Sequence, residues 1–294
     1  MTPTEASGTD QFLQARPRLF AAAYSMLGTV SDTEDILQEA FLRWQSTAKD
    51  TVRDPVGYLM RITTRLCLDQ LKSARVKREV YPGEWLPEPV LTDDPVEALD
   101  HDVSIALLLA LERLTPLERA AFLLHDVFDC DYDEVASTQG RSEASCRQLT
   151  TRARRNVQQE KPRAKVGSKQ GEALARAFFT ASKSGDTSTL AQLLTEDVRL
   201  ISDGGGKAIA ALNPIVGQDH VLRFYKGLSR KLDGFVPEHW TVCRLNGLPA
   251  IVSREIDDIV QSTALEIVDG KIHRIYVVRN PDKTRHLVET LNGK

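Results

Sequence analysis

Residues 131–155 read DYDEVASTQGRSEASCRQLTTRARR. Asp131 and Glu134 have the spacing of a helix-capping box, and Val135 and Ala136 give the short helix that follows an apolar side. Gly140 supplies a turn. Ser142 opens a second, longer helix carrying Arg147, Gln148, Arg152, Arg154 and Arg155, with Ala144 and Leu149 expected to face inward. Short helix, glycine turn and basic second helix is the layout of a helix-turn-helix. In a DNA major groove the N-terminal half of the second helix meets base edges. Gln148 has the amide to pair with adenine and Arg147 the fork to pair with guanine. Arg152, Arg154 and Arg155 would meet phosphates, which set affinity and its salt dependence. The pattern alone also fits a helical hairpin with a solvated basic face.

The surrounding charge bears on that choice. The chain has 294 residues and a formal charge of −3, which taken alone argues against a strong nucleic-acid binder. The charge is segregated, however. Residues 167–294 hold 17 basic and 15 acidic side chains, and residues 1–166 hold 21 and 26. Within the acidic half, residues 61–80 carry Arg61, Arg65, Lys72, Arg75, Lys77 and Arg78, and residues 141–165 are strongly basic. Between them, residues 84–102 contain Glu84, Glu88, Asp93, Asp94, Glu97, Asp100 and Asp102 with no Lys or Arg. Two basic stripes flank an acidic connector, and the whole-chain sum hides both.

Composition excludes other classes. An apolar fraction of 41% with 27% charged residues is that of a folded globular chain, and the length predicts two or three domains. No apolar run is long enough to span a membrane, and the first ten residues lack the features of a secretory signal. Cys67, Cys130, Cys146 and Cys243 are scattered, with no metal or redox spacing, which fits mostly buried thiols in a cytoplasmic protein. A redox-sensing role for one of them is the alternative. No cofactor motif is present.

Residues 11–77 read as helical, with Leu19, Ala22, Ala23 and Met26 in register. Ser31 and Glu34 suggest a capping box for a second helix with Ile36, Leu37, Ala40, Phe41 and Trp44 on its apolar face. Asp54-Pro55 opens a third, apolar along Leu59, Ile62, Leu66 and Leu71. Residues 81–96 hold four prolines and a glycine and read as a semi-rigid linker in which Trp85 is apolar enough to dock. Residues 97–114 read as an amphipathic helix ended by Thr115-Pro116-Leu117-Glu118, itself a helix start.

After residue 166 the pattern changes. Helices are expected at 171–184, 187–194 and 218–232. Strands are expected at 197–202, 207–212, 236–245, 249–256, 259–268 and 271–279. Asn246-Gly247 and Asp269-Gly270 are preferred hairpin turns. Helices followed by an antiparallel meander indicate an α+β domain.

Three stretches resemble a known family. Thr33-Glu34-Asp35-Ile36-Leu37-Gln38-Glu39-Ala40-Phe41-Leu42-Arg43 resembles the core-polymerase-binding helix of bacterial RNA polymerase sigma factors. Residues 57–69, from Gly57 to Asp69, resemble their −10-reading helix. Leu114-Thr115-Pro116-Leu117-Glu118-Arg119 with the helix-turn-helix resembles their −35-reading domain. With only these two domains the chain is similar to the extracytoplasmic-function group. Trp85-Leu86-Pro87-Glu88-Pro89, Asp203-Gly204-Gly205-Gly206-Lys207 and Asn280-Pro281-Asp282-Lys283 are similar to the signatures of a subgroup with a fused SnoaL-like C-terminal domain. Two positions depart from the pattern: Arg65 replaces a common Asn, and Thr284 replaces a commoner leucine at a position read as packing.

The resemblance implies a multidomain fold: a sigma-2 bundle (8–78), an acidic Pro-rich linker (79–98), a sigma-4 helix-turn-helix domain (99–162) and an α+β SnoaL/NTF2-like cone (168–294). It implies a sigma factor that binds core RNA polymerase and directs transcription initiation. Asp35, Gln38 and Glu39 would meet the β′ clamp helices, and the sigma-4 domain the β flap. Arg61, Arg65, Lys72 and Arg75 would contact −10 DNA, and the loop 46–53 is where relatives hold a flipped base. Ser142, Glu143, Ser145, Arg147, Gln148, Arg152 and Arg155 would read the −35 element. Such action is binding and strand separation, not enzymatic chemistry.

The subgroup's control element is in cis, so no separate anti-sigma factor is expected. Trp85, Leu86, Pro87 and Glu88, Asp203 to Lys207 (with Gly204, Gly205 and Gly206 between), and Asn280, Pro281, Asp282 and Lys283 are expected to form cis-regulatory contacts. Ordinary readings stand beside this: a flexible hairpin tip for the glycines, and a strand end followed by a turn for Asn280-Pro281. Asp93, Asp94 and Glu97 either mask a basic DNA-binding helix or are simply solvated. The rival function is a helix-turn-helix regulator fused to a ligand-binding or isomerase-type enzyme domain. Its candidate pocket groups are Asp203, His220, Tyr225, His239 and Trp240, around an unknown small ligand.

Overall fold

The computed structural model describes residues 8–79, 81–92, 104–157 and 167–292, with side chains at 73–79, 168 and 292 left out. Residues 1–79 and 99–161 form one compact unit, and residues 80–98 and 162–294 a second.

The first unit is all helical. Helix α1 (Gly8–Leu27) buries Leu19, Ala22, Ala23 and Met26. Helix α2 (Val30–Ser46) starts one residue before the expected Ser31, with Thr29 at the N-cap. Thr29 Oγ1 donates to Asp32 at 2.6 Å, and Glu34 falls in the second turn, where it accepts from Arg16 of α1 at 2.7 and 2.8 Å. The expected Ser31–Glu34 box is therefore replaced by an interhelix ion pair. Helix α3 (Pro55–Glu79) begins as the sequence predicts, with the Asp54 carboxylate accepting from the N–H groups of Val56 and Gly57 at 3.1 Å.

Helix α4 (Ile105–Glu112) is shorter than the expected 97–114. Ser104 caps it, and Ile105, Ala106, Leu107, Leu108, Ala110 and Leu111 are all buried. A helix buried all round has no polar face to mark its limits. Residues 97–103 lie outside the described residues, as do Asp93 and Asp94. Helix α5 (Pro116–Phe122) opens with the Thr115–Glu118 capping box and runs on into a π-helical turn, Leu123–Val127. Helix α6 (Tyr132–Gln139) has the Asp131–Glu134 box and ends at Gly140, whose φ of +64° is the left-handed conformation glycine adopts without cost.

Helix α7 (Glu143–Val157) buries Cys146, Thr150 and Ala153. Ala144 is exposed and Leu149 half-buried, so the inward stripe is one of small residues rather than the expected Ala144 and Leu149. One hydrophobic core runs from Leu19, Met26, Trp44 and Leu59 to Leu111, Phe128, Val135 and Cys146.

The second unit is α+β. Helices α8 (Ser168–Ser184) and α9 (Thr187–Leu193) precede strand β1 (Leu194–Asp203). The expected strand at 207–212 is a loop; a short β2 (Ile215–Val216) follows it and leads to helix α10 (Gln218–Lys231). Strands β3 (Trp240–Leu245), β4 (Leu248–Arg254), β5 (Val260–Val268) and β6 (Lys271–Val278) form the predicted meander. Both turn dipeptides have φ > 0 at each residue, as two-residue hairpins need.

The sheet order is β2-β1-β6-β5-β4-β3, with β1 parallel to β6 and the other pairs antiparallel. The core joins Phe178, Leu190 and Val221 of the helices to Leu200, Ile251, Leu265 and Ile275 of the sheet. Short helices α11 (Pro281–Thr284) and α12 (Val288–Asn292) close the described chain.

Candidate functional site

Helix α2 turns Ile36, Leu37, Ala40 and Trp44 inward, which leaves Asp35 and Gln38 exposed and Glu39 half-exposed, paired with Arg43 at 2.8 Å. Leu42 lies on the same outer face, seven residues from Asp35, and is 53% exposed. The sequence reading named the three polar residues and missed Leu42. Its signal is an apolar side chain at the i+7 position of a polar face.

On α3, Arg61 is half-buried and Lys72 is exposed, paired with Asp69 at 2.8 Å. Arg75 lies on the same helix, but its side chain is among those left out. Arg65 has a partner that periodicity could not supply. Its guanidinium donates to the carbonyls of Ser137 at 2.7 Å and Thr138 at 3.0 Å, in the last turn of α6. Cations are favoured there by the unpaired carbonyls and the helix dipole. Two more arginines bond backbone across this unit. Arg18 of α1 donates to the Phe128 carbonyl at 2.5 Å, and the buried Arg119 of α5 to Met26, at the end of α1, at 2.5 Å. In the loop after α2, Lys49 lies over the Trp44 ring at 4.4 Å.

On α7, Ser142 accepts from the Ser145 N–H at 3.3 Å. Glu143, Arg147, Gln148, Arg152 and Arg155 form an exposed row. Arg147 is paired with Glu143 at 3.3 Å, and its guanidinium lies 4.2 Å from the centre of the Tyr132 ring. Arg154, expected among the phosphate contacts, instead forks onto Asp126 with two bonds of 2.6 Å. Those bonds outweigh its partial desolvation and push its pKa upward.

The second unit gathers the remaining motif residues in one place. Asp203, at the end of β1, is buried. Its carboxylate accepts from the Tyr81 hydroxyl at 2.6 Å, Lys283 Nζ at 2.8 Å, and the N–H groups of Leu86 and Gly205 at 2.9 Å. Lys283 also donates to the Leu86 carbonyl at 2.6 Å and lies 4.3 Å from the Trp85 ring centre and 5.0 Å from that of Tyr81. Its side chain is 7% exposed and that of Asp203 0%, so the ion pair is fully desolvated. Such a pair is tolerable only with its remaining hydrogen-bonding capacity met, as it is here. Burial, then the Asp203 carboxylate, pushes the Tyr81 phenol upward.

Gly204 and Gly205 are required by close approach. A Cβ on Gly204 would lie 2.2 Å from the Ala208 carbonyl, and one on Gly205 (φ +60°) 2.2 Å from the Asn280 amide. Asn280 caps α11 and donates to Tyr81 at 2.9 Å, while Lys207 pairs with Asp282 at the surface at 2.6 Å. Thr284 is buried beneath this turn and donates to the Asn280 carbonyl.

The linker continues along the sheet edge. Val90 exchanges bonds with Asn246, its carbonyl accepting from the Asn246 N–H at 2.8 Å and its N–H donating to Asn246 Oδ1 at 3.1 Å. Thr92 N–H donates to the Arg244 carbonyl at 3.0 Å, and Leu91 bridges Leu245. His286 bonds the Pro89 carbonyl at 2.7 Å and approaches the Glu88 carboxylate at 3.3 Å. Residues 90–92 thus cover the end of edge strand β3 at Arg244 and Leu245. Tyr81, Asn246 and His286 were missed from sequence, because nothing local tells a turn Asn or a lone His from its ordinary roles.

The rival pocket groups do not converge. Asp203 belongs to the linker contact, and His220 and His239 are exposed. Trp240 stacks on Phe179 at 4.3 Å, and Tyr225 packs edge-on against Phe178 at 5.5 Å. Burial first, and then the charge of Glu255, which pairs with Lys183 at 2.7 Å, raises the Tyr225 pKa. Burial likewise raises the thiols of Cys67, Cys146 and Cys130, the last to about 11, so none is a ready thiolate. Among the described residues no helix is long and apolar enough to cross a membrane.

Residues 12–76 match the family described as Sigma-70 region 2, and residues 104–157 that described as Sigma-70, region 4. With the helix-turn-helix and the added α+β domain, these define the class: a promoter-recognising sigma factor. The ECF RNA polymerase sigma factor SigJ of Mycobacterium tuberculosis (strain ATCC 25618 / H37Rv) is 38% identical over 290 residues, 93% of this chain and 92% of that protein. The probable ECF RNA polymerase sigma factor SigI of Mycobacterium tuberculosis (strain CDC 1551 / Oshkosh) is 32% identical over 294 residues, 95% of each. The crystal structure of Mycobacterium tuberculosis SigJ matches with a TM-score of 0.75 at 35% identity, covering 94% of this chain and 98% of that one. The chain belongs to the extracytoplasmic-function RNA polymerase sigma factors, and among them to the SigJ type.

Proposed function

We propose that this sigma factor divides promoter recognition between residues 8–78 and 99–162, and that residues 168–294 modulate it in cis by holding the connecting linker. Asp35, Gln38 and Glu39, with Leu42, make the face for the β′ clamp helices of core polymerase. Arg61, Arg65, Lys72 and Arg75 serve −10 DNA. Separating and flipping bases costs a few kcal/mol per step, which a basic groove and a base pocket must offset. Ser142, Glu143, Ser145, Arg147, Gln148, Arg152 and Arg155 serve the −35 element, with the β flap as the second polymerase contact.

The observation that carries the cis reading is the buried Asp203–Lys283 pair closed on the backbone of Leu86. A linker held at its middle gives the two reading modules a restricted span, and no separate anti-sigma protein is needed for that restraint. Run-off transcription with purified core polymerase tests both levels. Promoter-specific initiation should appear only when this protein is added, and failure to bind core would refute the polymerase-partner reading. Substituting Trp85 or Asp203 should change promoter output; unchanged output from both would sink the cis restraint.

A further inference from the structure

Tyr132 lies within the helix-turn-helix stretch but carries none of the roles assigned above, and the face of its ring holds one arginine of the basic helix. It is the first residue of α6, fixed there by the Asp131–Glu134 box. Its ring centre lies 3.9 Å from that of His125, whose Nδ1 meets the Cys130 carbonyl at 2.9 Å. Arg147, in the second turn of α7, brings its guanidinium to 4.2 Å from the same ring. The Arg147 side chain is 59% exposed, so burial does not hold it in place. Two contacts do: the face of Tyr132 and the exposed Glu143 carboxylate. The Glu143 pair is solvent-screened and weak, whereas a guanidinium on an aromatic face keeps its plane as well as its position.

We propose that Tyr132 is a positioning residue for promoter recognition, its ring orienting the Arg147 fork before DNA arrives. The proposal rests on the assignment of Arg147 to the −35 element. Arginine is a flexible side chain, and ordering it at the moment of binding lowers affinity. A fork already laid on a ring loses less, and its plane selects which base edge it meets. The tyrosine does not itself touch the base. A merely structural Tyr132 would instead support the start of α6, and its loss would weaken binding to every sequence alike.

The test uses holoenzyme assembled from the full chain and core polymerase. The probe is a duplex promoter selected on the wild-type holoenzyme, with each −35 base pair substituted in turn. Tyr132→Phe should keep the wild-type base preference, because the ring remains and the hydroxyl it removes is a partner of Arg154 rather than of Arg147. Tyr132→Leu and Tyr132→Gln should each lose about three- to tenfold in affinity. The two replacements differ in polarity at a half-buried site, so a folding fault in one leaves the other. The loss should fall on the same base pairs whose identity ceases to matter in Arg147→Ala, and adding it to Arg147→Ala should cost nothing further. Full additivity in the double variant, or an equal loss on all sequences, would overturn the proposal while leaving Arg147 as a reader. An Arg147→Ala holoenzyme that binds and discriminates like wild type would overturn both.

Discussion

At the scale of single residues, the linker contact turns on charges that have left water. Lys283→Ala strands the Asp203 carboxylate among groups that cannot replace its counter-ion. The second unit should lose about 3–5 kcal/mol, read by chemical denaturation of the full chain. Pairing it with Asp203→Asn should recover part of the loss, since no buried charge then remains; a double variant as unstable as the sum of the singles would contradict this. His286 adds a pH term. Burial alone would lower its pKa, but the Glu88 hydrogen bond, the Pro89 carbonyl and the Glu88 charge outweigh that and raise it. Both ring nitrogens face acceptors, so the imidazolium is the form that fits. A folded pKa above the unfolded 6.5 means that its stabilisation is complete below 6.5 and is lost as pH rises through the folded value. The stability gap between wild type and His286→Gln should shrink between pH 6 and pH 8.5, and a gap that widens would refute the assignment.

At the scale of elements, helix starts were legible because capping is local chemistry. Thr115–Glu118, Asp131–Glu134 and Asp54-Pro55 each open a helix where the residues indicate. The failures share a cause. Ser31 and Glu34 have the box spacing, but Arg16 of another helix takes Glu34. The buried stripe of α7 consists of Cys146, Thr150 and Ala153, too small and too polar to show as a hydrophobic period. Arg65 ties α3 to the carbonyl end of α6, which no local pattern encodes. Arg65→Ala should therefore destabilise the helical unit by about 1 kcal/mol, below the roughly 1.5–3 kcal/mol of hydrogen bonds to charged groups because Arg65 is exposed. Far-UV circular dichroism against denaturant measures this, and a neutral variant would show that the tie contributes nothing.

At the scale of the whole molecule, the linker is the informative segment. Its sequence says semi-rigid, acidic and proline-rich; its structure says that residues 81–92 are held by Asp203, Lys283, Asn246 and His286. A restrained linker predicts selectivity for promoter spacing. Each added base pair moves the two elements about 3.4 Å apart. Wild type should tolerate few spacer lengths in run-off transcription, and Lys283→Ala should accept a wider range. Equal tolerance in both proteins would place spacing control elsewhere.

The amino-acid sequence by itself determined the two helical modules, the helix-turn-helix, the segregated charge beneath a sum of −3 and the hairpin meander, because capping, turn chemistry and period depend on neighbours in the chain. That Asp203 to Lys207 and Asn280 to Lys283 belong together comes from their resemblance to one subgroup's signatures; local pattern makes each an ordinary turn. Only the tertiary structure decided that Asp203 and Lys283 close on Leu86, that Arg65 and Arg154 are tied down, and that Tyr132 carries Arg147. Those outcomes depend on which distant groups share a desolvated space, and a residue's partner there is set by packing rather than by its place in the chain.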